Sequence, residues 1–163
     1  MVHGCVFGAG SARQLSLVLR GCSKSLKRFS LYGNMGDEPL VEIIDALSTH
    51  PQLEDLDMSS MNIGRNECRA LANILRGTSD LLTLNLSNDV NYNGALAERN
   101  LGDDGALILA DALARNLKLK TLNLGDNDIT SGGYSSFSKV LCDTTSVNNT
   151  FLSNHTLEGL GGG

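Results

Sequence analysis

The sequence lacks the features that would place a chain in a membrane or mark it for export. No stretch approaches the run of about 18 apolar residues that a membrane-spanning helix needs. The opening MVHGCVFGAG has neither the charged start nor the long apolar run of a secretory signal. We therefore expect a cytoplasmic chain with no membrane partner.

Charged residues are also few. They make up 19% of the chain, and the formal net charge is -5. Binding to a phosphate backbone needs lysines and arginines clustered on one face, and a net negative charge argues against it. Hydrophobic residues make up 41% of the chain, which is enough for a sizeable core. The composition predicts a folded domain with no nucleic-acid partner.

The sequence shows no signature of metal binding or catalysis. The four cysteines have no CxxC spacing, and the three histidines lie at no zinc-ligand interval from them. No serine or cysteine is expected beside a histidine in the geometry of an activated nucleophile. The glycines of GDDG and SGG belong to turns, and neither group follows a strand as a phosphate-binding loop would. We expect reduced thiols, no metal, no cofactor and no catalytic site.

A segment of the form LxxLxL recurs along the chain. It begins at Leu26, Leu53, Leu81 and Leu119, and a weaker match, VNNTFLSNHTL, begins at Val147. The intervals are 27, 28, 38 and 28 residues, a register that chance would not hold. The sequence predicts a single domain over residues 1–163 with about five repeats, a partial unit at 1–25 and a loop insertion at 90–100.

Each repeat predicts a short strand followed by a helix. Leu53, Leu56 and Met58 point one way and Asp55 and Asp57 the other, which is the alternation of a half-buried strand. Apolar residues at helical spacing follow. Successive strands are therefore expected to be parallel, with right-handed crossovers. Because a helix is about 10 Å wide and strands lie about 4.8 Å apart, the stack should curve, with the sheet on its concave face and the helices on its convex face.

Two segments carry a family resemblance. LKTLNLGDNDITSGG, from Leu119 to Gly133, and LEDLDMSSMNIG, from Leu53 to Gly64, resemble the ribonuclease-inhibitor-like leucine-rich repeat family. The resemblance covers about Leu26 to Leu157 and implies an α/β right-handed solenoid, a horseshoe. Because members mostly wrap protein partners, it also implies a non-catalytic protein-binding scaffold, part of a larger repeat protein. The alternative is a regulator of an enzyme, of the GTPase-activating or enzyme-inhibiting kind.

The chain departs from the family pattern at the ninth repeat position. Family members commonly place an asparagine there, whose amide satisfies backbone groups in the turn. This sequence has Asn34, Met61, Asp89, Asn127 and His155. Only two of the five are asparagines, so we expect the ladder of side-chain hydrogen bonds to be interrupted.

Side chains on the concave face are the best candidates for function, since they are exposed, rigidly spaced and not needed for the core. Lys27 and Arg28 precede Glu54, Asp55 and Asp57 on the next strand, which predicts a positive end beside a negative patch. Such a face would steer a partner of matching charge. The predicted partner contacts on this face are Tyr32, Glu54, Asp55, Asp57, Asn85, Asn123 and Phe151.

The insertion from Val90 to Asn100 is a second candidate, with Tyr92 and Arg99 as its distinctive residues. A loop that outgrows a regular repeat frequently carries binding. The alternative is an insertion that is tolerated without a function. For Tyr32 and Phe151, the alternative to partner contact is packing on a neighbouring side chain.

Overall fold

The computed structural model describes residues 10–22, 24–31, 40–77, 80–88 and 101–161, with the backbone alone at Phe151. Three predicted contacts, Tyr32, Tyr92 and Arg99, lie outside the described residues, as does the predicted insertion. None of the helices in the described ranges is long and apolar enough to cross a membrane.

Five short parallel strands form one sheet in chain order. They are β1 (Arg28–Ser30), β2 (Asp55–Asp57), β3 (Thr83–Asn85), β4 (Thr121–Asn123) and β5 (Gly159–Gly161). The central apolar residue of each strand pairs with its counterpart on the next, in the order Phe29, Leu56, Leu84, Leu122 and Leu160. Residues at the same repeat position therefore form rows across the sheet, about 4.8 Å apart.

The helices form a layer on one side of this sheet. They are α1 (Ser11–Gly21), α2 (Leu40–Leu47), α3 (Arg65–Arg76), α4 (Gly102–Leu113), α5 (Ser131–Leu141) and α6 (Val147–Leu152). The first five pack in series, each against the next. Parallel strands on one face and helices on the other confirm the predicted α/β solenoid.

The core lies between the sheet and the helices. Its strand side is built from the first, fourth and sixth repeat positions of the three central units, all at most 1% exposed: Leu53, Leu56, Met58, Leu81, Leu84, Leu86, Leu119, Leu122 and Leu124. Ile43, Leu71, Leu109 and Phe137 fill the helix side. Full burial of one such side chain stabilises the fold by about 1.5–3 kcal/mol, which explains why the spacing of these residues sets the architecture.

The prediction of a fifth strand at Val147 is wrong. Residues Val147–Leu152 form α6, capped by Ser146, whose Oγ accepts from the backbone N–H of Asn149 at 3.1 Å. The fifth strand is β5, where Leu160 pairs with Leu122. Phe151, predicted on a concave strand, lies in α6 instead, and His155 does not occupy a ninth repeat position. The strands therefore begin 27, 28, 38 and 38 residues apart.

Helix α6 is an excursion that the repeat does not need. The second long interval exceeds the 28-residue spacing by about ten residues, yet β4 and β5 stay in register. The base of the excursion is closed by the N–H of Asp143, which donates to Ser153 Oγ at 3.0 Å. The Asp143 carboxylate accepts from Thr145 N–H at 3.0 Å and from Asn149 Nδ2 at 3.2 Å. The extra residues are thus folded by their own polar contacts.

A buried amide ties two units together at the ninth repeat position. Asn127 Nδ2 donates to the carbonyls of Leu86 at 2.7 Å, Leu124 at 3.1 Å and Gly125 at 3.2 Å. Leu86 belongs to the preceding unit, so this amide bridges the seam between them. Met61, at the equivalent position, is buried and has no amide, which interrupts the row.

A second row of buried polar side chains lies three residues before the first leucine of three units. In each case a side-chain nitrogen meets the carbonyl of the last leucine in the preceding unit's helix: Asn116 to Leu75 at 2.7 Å, Asn154 to Leu113 at 2.7 Å and His50 to Leu19 at 2.9 Å. The row links the C-terminal ends of α1, α3 and α4 to the segments just before Leu53, Leu119 and Leu157.

Candidate functional site

The concave face comprises the strand side chains that point away from the helices. Burial alternates along the strands, with the central residue buried and its neighbours partly or fully exposed. The described members of this face are Lys27, Arg28, Ser30, Glu54, Asp55, Asp57, Ser59, Leu82, Thr83, Asn85, Ser87, Lys120, Thr121, Asn123, Gly125, Glu158, Gly159 and Gly161.

The charges of this face are mostly paired between neighbouring strands. Lys27 Nζ lies 2.6 Å from Glu54 Oε1, and Arg28 Nε lies 3.0 Å from Asp55 Oδ2. The positive end and the negative patch expected from the sequence therefore neutralise one another locally. These pairs are largely exposed, so each adds at most about 1 kcal/mol to stability.

Asp57 differs from the other acidic residues of this face. Its Oδ1 accepts from the backbone N–H of Ser59 at 3.0 Å. Within the described residues it forms no ion pair, whereas Glu54 and Asp55 are each bound to a cation and Glu158 lies 3.2 Å from Lys120 Nζ. Among the described carboxylates of this face, Asp57 is therefore the one with no described cation beside it.

Asp57 belongs to a row of polar side chains that runs from Ser30 on β1 and continues at the same position on β3 and β4. Asn85 Oδ1 accepts from Ser87 N–H at 3.2 Å and Ser87 Oγ at 2.9 Å, and Asn123 Oδ1 accepts from Gly125 N–H at 3.1 Å. The sequence predicts Asp57, Asn85 and Asn123 as partner contacts, and the structure shows that each also fixes the end of its own strand. Their orientation is therefore set before any partner arrives.

The remainder of the described face, on β3 to β5, is built mostly from small uncharged residues, with the Lys120–Glu158 pair at its edge. Thr83 and Thr121 stand in one row, and Gly125 and Gly161 leave the surface flat beside Asn123. Leu82 adds a partly exposed apolar side chain at the edge. The described concave face therefore has most of its charges on and beside β1 and β2, and the remainder carries only the Lys120–Glu158 pair.

Away from the concave face, Cys68 of α3 is a fully buried thiol. Burial raises the pKa of the Cys68 thiol to about 12, and the negative charge of Glu67 adds to the effect. A thiol with that pKa stays protonated and is a poor nucleophile at neutral pH. Across the described ranges, no three residues of histidine, cysteine, aspartate or glutamate gather as a metal site would require.

Comparison with known proteins gives several relatives, although no family model matches. The chain is 31% identical over 160 residues to the ribonuclease inhibitor of Mus musculus, covering 96% of this chain and 33% of the inhibitor. It is 32% identical over 154 residues to that of Sus scrofa, covering 93% and 31%. A NACHT, LRR and PYD domains-containing protein of Homo sapiens, number 13, is 28% identical over 160 residues, covering 85% and 15%.

A solved structure shares the fold. Leiomodin-1 actin-binding site 2 superposes with a TM-score of 0.68 at 16% identity, covering 96% of this chain and 80% of that one. The repeat, the parallel sheet and these similarities make this chain a leucine-rich repeat protein. Within that class, the similarity to the two inhibitors is to the ribonuclease-inhibitor-like type. The chain spans about a third of the length of the inhibitors that it matches.

Proposed function

We propose that this chain is a non-catalytic scaffold that binds a protein partner on its concave face. The row Asp57, Asn85 and Asn123 carries the proposal, because three polar side chains on neighbouring strands are each held by their own turn. Side chains that are ordered before binding lose less conformational entropy on contact. A flat, ordered polar row suits the surface of another folded protein.

Asp57 is the contact that we expect to matter most. The cations of β1 already occupy Glu54 and Asp55, which act here as a paired border. A lysine or arginine of the partner can reach Asp57 without displacing a cation of this chain. The proposed partner therefore presents a basic residue at the centre of its contact surface.

The names of the relatives support a protein partner. Two are called ribonuclease inhibitors, and the solved structure is an actin-binding site. Each of those proteins is thus named for another protein that it inhibits or binds.

The test is affinity capture from a cell extract with quantitative mass spectrometry. We expect Asp57→Lys to reduce recovery of the captured proteins at least about tenfold, because it replaces an attraction with a repulsion. Asp57→Asn keeps an oxygen for Ser59 N–H and is expected to reduce recovery less. Asp45→Lys, on the exposed side of α2, is the matched control. Unchanged recovery with Asp57→Lys would rule out the concave face.

Tyr32, Tyr92 and Arg99 remain proposed contacts, which alanine substitutions test in the same capture. Loss of recovery with Tyr92→Ala and Arg99→Ala, but not with Asp57→Lys, would assign binding to the insertion. A cytoplasmic location also remains a prediction, and fluorescence microscopy of the tagged chain tests it.

A second candidate function is inhibition of an enzyme, which the names of two relatives favour. Its test is the rate of RNA hydrolysis by a pancreatic-type ribonuclease with and without the chain. Inhibition that Asp57→Lys relieves would support it. A rate that the chain in large excess leaves unchanged would exclude this enzyme as the target.

A further inference from the structure

The positive charges of this chain are unevenly placed. Five of its 13 lysines and arginines come before residue 37, where there is no aspartate or glutamate. The other eight share the rest of the chain with all 18 acidic residues. Lys27 and Arg28 are paired on the concave face, which leaves Arg13, Arg20 and Lys24 on and beside α1.

The outward surface of α1 carries two of these cations together with exposed apolar residues. At 100° per residue, Arg13, Gln14, Leu17, Val18 and Arg20 share one continuous arc of the helix, and all five are exposed. We call these five residues the α1 outer face. Within the described residues, neither arginine of this face forms an ion pair.

The apolar residues of this face are unusual within the chain itself. When α1 to α4 are aligned on their last leucines, Val18 corresponds to Ala46, Ile74 and Ala112. These three residues are at most 3% exposed. Val18 is 65% exposed. An apolar position that the other units bury is open to solvent here.

Leu17 is apolar at a position where the other helices have a polar residue. Its equivalents Asp45, Asn73 and Asp111 are polar, and Asp111 forms an ion pair with Arg76 of the preceding helix. Leu17 is apolar and 62% exposed. Among the described helices, α1 alone therefore has an exposed leucine at this position. The leucine lies between two arginines that form no ion pair with described residues.

We propose that the α1 outer face binds an acidic amphipathic helix of a partner protein. Its apolar side would cover Leu17 and Val18, and its carboxylates would meet Arg13 and Arg20. Charge complementarity selects this occupant, because an acidic segment is repelled by the remainder of the chain and attracted to this helix. Two copies of α1 would oppose like charges instead. The proposal concerns a surface separate from the concave face.

A synthetic peptide tests this proposal by fluorescence anisotropy. The probe is a labelled helical peptide of about 18 residues. Its leucines are spaced alternately three and four residues apart, and the other positions are glutamates. We expect saturable binding that weakens as salt rises. Arg13→Glu with Arg20→Glu, and separately Leu17→Ser with Val18→Ser, should each weaken binding at least about tenfold.

Matched controls lie on other exposed helix and loop positions. Arg115→Glu and Leu107→Ser remove a similar cation and a similar exposed leucine, and both should leave the peptide affinity unchanged. Asp57→Lys should also leave it unchanged, which separates this proposal from the proposed function. Circular dichroism of every variant checks that the fold is kept.

Four results would overturn the proposal. Equal binding of a peptide with lysine in place of glutamate would remove the charge argument. Equal binding of polyglutamate would reduce the site to a general attraction for polyanions. Tighter binding to phosphatidylserine vesicles than to the peptide would indicate a membrane surface. Dimers in sedimentation that Leu17→Ser with Val18→Ser dissolves would indicate a second copy as the occupant.

Discussion

At the scale of single residues, buried amides hold this fold at the seams between units. Asn127 and Asn116 each bond to a carbonyl of the preceding unit as well as to groups of their own. A buried carbonyl left without a donor costs about 1–3 kcal/mol, so one such side chain decides whether a seam is satisfied. These buried amides therefore stabilise the solenoid in addition to the leucines of the core.

Replacing Asn127 with alanine is expected to lower the free energy of unfolding by about 1–3 kcal/mol, because the buried carbonyls of Leu86 and Leu124 lose a donor, whereas that of Gly125 keeps the N–H of Asn88. Urea denaturation measures this change in the free energy of unfolding. Asn148→Ala, at an exposed position of α6, is the control and should change stability by less than about 0.5 kcal/mol. Equal stability of the two variants would contradict the role given to Asn127.

His50 is a residue where the chain's own repeats suggest an improvement. It is 1% exposed, and its Nδ1 has no hydrogen-bond partner within the described residues. Asn116, at the equivalent position, uses Oδ1 to accept from Lys118 N–H at 2.9 Å and Leu119 N–H at 2.7 Å. We expect His50→Asn to stabilise the fold by about 1 kcal/mol and to raise Tm by about 2–4 °C. A lower Tm in calorimetry would show that imidazole packing matters more.

At the scale of elements, a carboxylate of α4 supports the N-terminal cap of the next helix, α5. Asp103, in the first turn of α4, accepts from Thr130 N–H at 2.8 Å and from Thr130 Oγ1 at 2.7 Å. Thr130 is the N-cap of α5, and its Oγ1 accepts from Gly132 N–H at 3.1 Å. The start of α5 therefore depends on a carboxylate of α4.

This cap predicts a dependence of stability on pH. The Thr130 hydroxyl, and then its N–H, hold the pKa of Asp103 below its ordinary value of 3.8. The carboxylate thus stabilises the fold above that value, and the effect is lost as the pH falls through the lower folded pKa. We expect Asp103→Asn to flatten the fall of Tm below about pH 4. Asp104→Asn is the matched control, and an unchanged slope in Asp103→Asn would contradict the cap.

Elements also show how far the sequence could predict the structure. The first four strands follow from leucine spacing, because those leucines must all reach one core. The fifth did not, since Gly162 takes the sixth position after Leu157 and Leu160, while Val147 and Leu152 imitate the pattern in α6. The pairing of Lys27 with Glu54 could have been predicted, because both residues occupy the second position of their repeats. The hydrogen bonds of Asn85 and Asn123 could not have been predicted, because they depend on the turn geometry after each strand.

At the scale of the whole molecule, each unit rests on its neighbours alone, as in other repeat proteins. Leu84 lies between two described units and is fully buried, whereas Leu160 on β5 is only partly buried. Leu84→Ala is expected to lower the free energy of unfolding by about 2–5 kcal/mol, and Leu160→Ala by clearly less. Guanidinium unfolding followed by circular dichroism measures both. Equal losses would mean that the chain does not stabilise itself unit by unit.

The excursion at α6 has a practical consequence. Because Asp143 and Ser153 clasp its two ends while β4 and β5 stay paired, its tip is uncoupled from the sheet. A label attached at Val147, which is 90% exposed at the start of α6, would be displayed on the rim with the solenoid intact. Fluorophores or crosslinkers can therefore be mounted there while the concave face stays open.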